Sequence, residues 1–103
     1  MADNRRIQTR HEVAIPAKLI VDGTTAECTM LNLSVGGALV TVTTKYAMGQ
    51  RVQVAFHVPT IGEVIEVGAT VRWSSSEGVG VQFDGLRARD VWALQAYFKQ
   101  LPT

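Results

Sequence analysis

The feature that most constrains this chain is a change of hydrophobic period. Between residues 13 and 83 apolar side chains recur at every second position, in short runs separated by turn-forming residues. Between residues 87 and 101 they recur at every third or fourth position. Period-two runs make extended strands with one buried face, and the longer period makes a stripe along a helix. Six strands followed by one helix are therefore expected, with the strands forming an antiparallel barrel or sandwich.

The strand runs are well punctuated. Val13, Ile15, Ala17, Leu19 and Val21 share one face of the first run, and Asp22-Gly23 is a hairpin turn signal. Pro16 has no N–H for a ladder, so this strand is expected at an edge or with a bulge. A second strand is expected over residues 26–33, then a loop at Ser34-Val35-Gly36-Gly37 and a third strand over 38–42. Met48-Gly49-Gln50 breaks the chain before a fourth strand over 52–58. A turn at 59–62 leads to a fifth over 64–73, with Val67, Ala69, Val71 and Trp73 on one face, and a sixth runs over 79–83. The helix is expected over 87–101, with Val91, Leu94, Phe98 and Leu101 as its stripe, Trp92 and Tyr97 beside it, and Pro102 as its stop. Asp84 or Asp90 is placed to support its N-terminus. The helix caps an open end of the barrel, with Trp92, Leu94 and Phe98 sealing the core. His57 reads as a residue of the barrel wall.

Residues 1–11 carry no strand or helix period and read as a flexible basic arm, leaving residues 12–101 as the folded domain. The composition narrows function by exclusion. The formal charge is only +1, which gives no global field toward nucleic acid or membrane. The one cysteine, Cys28, has no internal partner, which suits a reducing, cytoplasmic setting. With two histidines, His11 and His57, no metal-ligand spacing arises. No apolar run is long enough to span a membrane, and no apolar stretch follows the first arginines as a secretory signal requires. No nucleophile–base pair, carboxylate pair or metal set is visible, so no enzyme is expected.

Two short segments carry chemistry. The first is Arg5-Arg6-Ile7-Gln8-Thr9-Arg10. Guanidinium forks match phosphate oxygens and the O6/N7 edge of guanine, and they stack on base faces. Taken alone, the segment suits a solvated basic tail better than a site. The second is Asn32-Leu33-Ser34-Val35-Gly36-Gly37. Asn32 and Ser34 have the same parity on an extended chain and both make directed hydrogen bonds, while Gly36 and Gly37 allow close approach to the backbone. A turn built on Asn or Ser needs the same residue types.

In combination the segments resemble the PilZ family, in which Arg-Arg-x-x-x-Arg is followed, a strand and a turn later, by Asn/Asp-x-Ser-x-x-Gly. Here these are Arg5, Arg6 and Arg10, then Asn32, Ser34 and Gly37. The stretch Ala69-Thr70-Val71-Arg72-Trp73 with Gly78-Val79-Gly80-Val81-Gln82-Phe83 looks like the family's last two strands, so the resemblance covers roughly residues 5–101. It implies a six-stranded antiparallel β-barrel with one C-terminal α-helix, an all-β fold class. It also implies a bacterial second-messenger receptor whose ligand is cyclic di-GMP, with no other cofactor. The arginines would grip phosphates and guanine edges, Asn32 would recognise a guanine, Ser34 would add a polar contact and Gly37 would leave room. Trp73 would face a base or the core. Many members have Asp where this chain has Asn32, and a carboxylate can accept from two guanine donors at once. The receptor would act on a separate downstream protein. The competing reading is an interaction module of the same fold that binds no nucleotide. A nucleic-acid binder is disfavoured by the low net charge and the lack of interleaved aromatics.

Overall fold

The computed structural model describes residues 10–42 and 46–101 of the chain. Arg5, Arg6 and Pro102 lie outside the described residues. The elements are β1 (His11–Val21), β2 (Thr24–Leu33), β3 (Gly37–Thr41), β4 (Arg51–His57), β5 (Val64–Ser75), β6 (Gly78–Phe83) and α1 (Ala88–Phe98). The strands close into an antiparallel barrel in the order β1-β2-β3-β6-β5-β4. The barrel and terminal helix agree with the expected fold. β1 begins at His11, inside the segment expected to be the arm.

Alternation builds the interior. Ile15, Ala17 and Leu19 of β1, Val52, Val54 and Phe56 of β4, and Ile65, Val67, Ala69 and Val71 of β5 all point inward and are buried. Asp22 and Gly23 take positive φ, 52° and 79°, in the two-residue turn that joins β1 to β2. Closure leaves no edge strand overall, but Pro16, paired with Thr29 of β2, lies just before β1 gains its β4 partner, so no β4 ladder bond is asked of its missing N–H. The β1–β2 register shifts between Glu12 and Ile15, and the β1–β4 ladder starts only at Ala17.

Three expectations about facing are corrected. Trp73 is not on the core face with Val71. The β5–β6 register shifts between Val71 and Trp73, and Trp73 lies outside, 39% exposed. Trp92 does not seal the core but is 61% exposed. The buried stripe of α1 is Asp90, Ala93, Leu94 and Tyr97, one residue off the expected one, with Val91, Phe98 and Leu101 only partly buried.

The helix covers the barrel end where β1 starts. There His11 stacks on Phe98 with ring centroids 4.0 Å apart, and Arg89 pairs with Glu63 at 2.5 Å. Of the two candidate N-terminal acids, Asp90 serves. Its Oδ2 accepts the Arg87 backbone N–H at 3.3 Å and the Arg87 Nε–H at 3.2 Å. Asp84 instead receives Arg51 at 2.6 Å and the Thr70 hydroxyl at 3.3 Å.

Candidate functional site, an arginine-lined cleft

The β1–β2 pairing brings Arg10, the last residue of the first motif, to the second motif. His11 pairs with Leu33 and Glu12 with Asn32, so Arg10 emerges from the barrel beside Ser34. Ser34 itself is buried and organises the turn that follows. Its hydroxyl accepts the N–H groups of Gly36 (3.1 Å) and Gly37 (3.2 Å) and donates to the Gly37 carbonyl (3.3 Å). That carbonyl also accepts the Ser34 N–H at 2.9 Å. The serine thus works as a turn builder, which sets the two glycine backbones in place.

Gly36 and Gly37 do not take positive φ. What Gly37 makes room for is β6: a Cβ there would lie 2.2 Å from the Val81 carbonyl oxygen. The Gly36 carbonyl accepts the Phe83 N–H at 2.9 Å, which ties the turn to the same strand. Gly80 is the second intimate glycine. A Cβ on it would meet the Trp73 Cε2 and Nε1 at 2.4 Å, so the indole occupies the space that a larger residue would need.

These contacts enclose a cleft of about 260 Å³, lined by Arg10, Ser34, Gly36 and Gly37, by Ala38 and Arg72, and by Trp73, Gly80, Val81 and Gln82. Two guanidinium groups and no carboxylate border it. Five of the eight expected site residues are therefore brought together: Arg10, Ser34, Gly36, Gly37 and Trp73. Asn32 does not line this cleft. It is half-buried, two residues back along β2, and its Oδ1 is shielded from water with no hydrogen-bond partner among the described residues. A shielded acceptor left unpaired is costly unless a partner arrives. A register shift between Met30 and Asn32 explains its placement, since Met30 and Leu33 both enter the core across it. Arg5 and Arg6 fall outside the described residues.

Sequence reasoning missed Arg72 and Gln82. The available signal was an arginine adjoining the tryptophan already singled out. Parity counting, however, assigned Trp73 inward and Arg72 outward alone. Elsewhere, His57 is exposed at the end of β4. Cys28 is half-buried on β2, and burial pushes its thiol up from 9.0 to about 11. No group of three or more His, Cys, Asp or Glu side chains able to hold a metal occurs among the described residues. No helix among them is long and apolar enough to cross a membrane.

A family model for the PilZ domain matches residues 4–100, and the chain belongs to that family. No curated protein sequence matches it. Solved structures share its fold. The inhibitor of motility MotI/DgrA of Bacillus subtilis aligns with a TM-score of 0.79 at 20% identity, over 95% of this chain and 51% of that one. This chain thus spans about half the length of the Bacillus protein. The PilZ domain of YcgR from Escherichia coli, solved with cyclic di-GMP, aligns with a TM-score of 0.73 at 16% identity over 94% of both chains. The PlzA protein of Borreliella burgdorferi, also in complex with cyclic di-GMP, aligns with a TM-score of 0.66 at 21% identity, over 92% of this chain and 41% of that one.

Proposed function

We propose that this protein is a cyclic di-GMP receptor that passes the signal to a separate protein. The observation that carries this reading is the cleft itself. It gathers Arg10, the Ser34–Gly37 turn and Trp73 into one concave site with cations and no acids. Such a site suits an anionic ligand with flat aromatic groups, which a cyclic dinucleotide is: two phosphates and two purines. The family membership and the two similar structures with cyclic di-GMP support the same ligand.

In this reading Arg5, Arg6 and Arg10 hold phosphates and guanine edges by charge-assisted hydrogen bonds. The unpartnered Asn32 Oδ1 accepts a guanine N–H, which relieves the only buried orphan side-chain atom among the described residues. Ser34 acts chiefly by shaping the turn, Gly36 and Gly37 keep the wall low, and the Trp73 indole offers a stacking face. Nothing in the site suggests turnover, so binding is the output, with closure of the basic segment over the ligand presenting a new surface. Control of motility is one such output, in keeping with the Bacillus relative.

Calorimetric titration of the purified protein with cyclic di-GMP, with GTP and cyclic AMP as controls, tests the reading. Saturable binding of the cyclic dinucleotide alone is expected, and Arg10→Ala should weaken it roughly tenfold or more. Heat from neither the wild type nor the variant would leave the fold as an interaction module.

A further inference from the structure

β5 makes its one departure from alternation beside the cleft. Against β6, Val71 pairs with Val81 and Trp73 with Gly80, so Arg72 is the extra residue of a bulge. Regular alternation would turn Trp73 inward after Val71. The bulge instead places Arg72 and Trp73, adjacent in sequence, both on the outer wall, where both line the cleft. Gly80 supplies the space that the indole needs. The result is a guanidinium held on a strand, facing the same space that Arg10 enters from the start of β1.

Two like charges bordering one small space repel unless an anion lies between them. Arg10 and Arg72 share the cleft, no carboxylate lines it, and no ion pair to Arg72 occurs among the described residues. The three ion pairs among the described residues engage Arg51 of β4, Arg87 at the helix N-cap and Arg89 of α1, whereas Arg10 and Arg72 border the cleft. We infer that Arg72 is a further ligand residue, a phosphate-binding arginine on the barrel wall opposite Arg10. It lies in neither sequence motif. The inference rests on the cyclic di-GMP reading. The ligand phosphate sits between Arg10 at the start of β1 and Arg72 on β5, and Arg72 sets where the phosphate lands relative to the Trp73 ring.

The test is titration of wild type, Arg72→Ala and Arg72→Lys with cyclic di-GMP at low and high salt, with thermal melts of the unliganded proteins as a control. Because Arg72 is exposed, all three should melt alike. Arg72→Ala should lose about tenfold or more in affinity and show a weaker dependence on salt than the wild type. Arg72→Lys, which keeps the charge without the fork, should fall between them. Affinity of Arg72→Ala within twofold of wild type overturns the inference and leaves the receptor reading standing. A loss that lysine does not recover and that salt does not change also overturns it, since it would mark stacking instead of charge. A wild type that does not bind cyclic di-GMP overturns the receptor reading and this inference with it.

Discussion

The two edges of β5 are built differently. Toward β4 the strand pairs through seven consecutive residues, Arg51 with Thr70 to His57 with Val64, without a register shift. Toward β6 it slips at Arg72. The other strand pairs show the same contrast. The β1–β4, β4–β5 and β3–β6 ladders are regular, whereas shifts occur at Glu12/Ile15, Met30/Asn32 and Val71/Trp73. Each of these lies close to a candidate ligand residue: Arg10, Asn32, or Arg72 with Trp73. Regular pairing supplies the core, and the irregularities re-aim polar and aromatic side chains out of it. The regular side has a larger groove, about 490 Å³, whose wall includes Lys18, Glu27 and Glu66, so its charges are mixed. Volume does not distinguish the two surfaces, but charge does.

If this division is right, the regular wall should answer to stability and the irregular seam to ligand. Leu19 is fully buried in β1 and pairs with Val54 across the unshifted β4 ladder. Leu19→Ala should cost about 2–5 kcal/mol of unfolding free energy, measured by urea denaturation. A loss well under 1 kcal/mol would mean that this wall can collapse around the gap.

Gly37 lies where the two roles meet. Its Cβ position is 2.2 Å from a backbone oxygen of β6 and 3.3 Å from the Gln82 Cα, so β3 and β6 must move apart in Gly37→Ala. We expect about 1–3 kcal/mol of destabilisation and a loss of cyclic di-GMP affinity, because both strands line the cleft. Unchanged stability with lost affinity would instead indicate that the glycine serves the ligand alone.

The smallest effect concerns Cys28, on β2 away from the cleft. Its folded thiol titrates near 11 against 9.0 for an ordinary one. The neutral form is therefore favoured by folding. Its contribution to stability is intact below pH 9 and declines as the pH rises from 9.0 toward about 11. Alkylation by iodoacetamide should rise over that higher range in the folded protein, and near 9 in urea. Identical profiles in the two states would contradict its half-burial.

The fold was legible because alternation and turn chemistry agree along the chain. Asp22-Gly23, Ser34–Gly37 and the change of period after Phe83 each mark a real boundary. The helix face was harder. Apolar side chains occupy Val91, Trp92, Ala93, Leu94, Ala96, Tyr97 and Phe98, more than half the circumference, so spacing alone fits two neighbouring stripes. The barrel chose the one with Leu94 and Tyr97, and Asp90 entered it as the partner of Arg87. The candidate cleft was legible at the motif residues that line it, Arg10, Ser34, Gly36 and Gly37, and illegible where it is made of a bulge. One extra residue reverses the parity of everything after it, and the sequence around Arg72 contains no glycine or proline to announce it.

Backbone amide chemical shifts recorded while cyclic di-GMP is added test most directly whether the irregular seam is the ligand site. The account predicts large shifts at Arg10, Asn32, Gly36–Gly37, Arg72–Trp73 and Gly80–Gln82, with β4 and the facing half of β5 nearly still. Shifts concentrated instead around Lys18, Cys28, His57 and Glu66, in the groove on the regular wall, would contradict it.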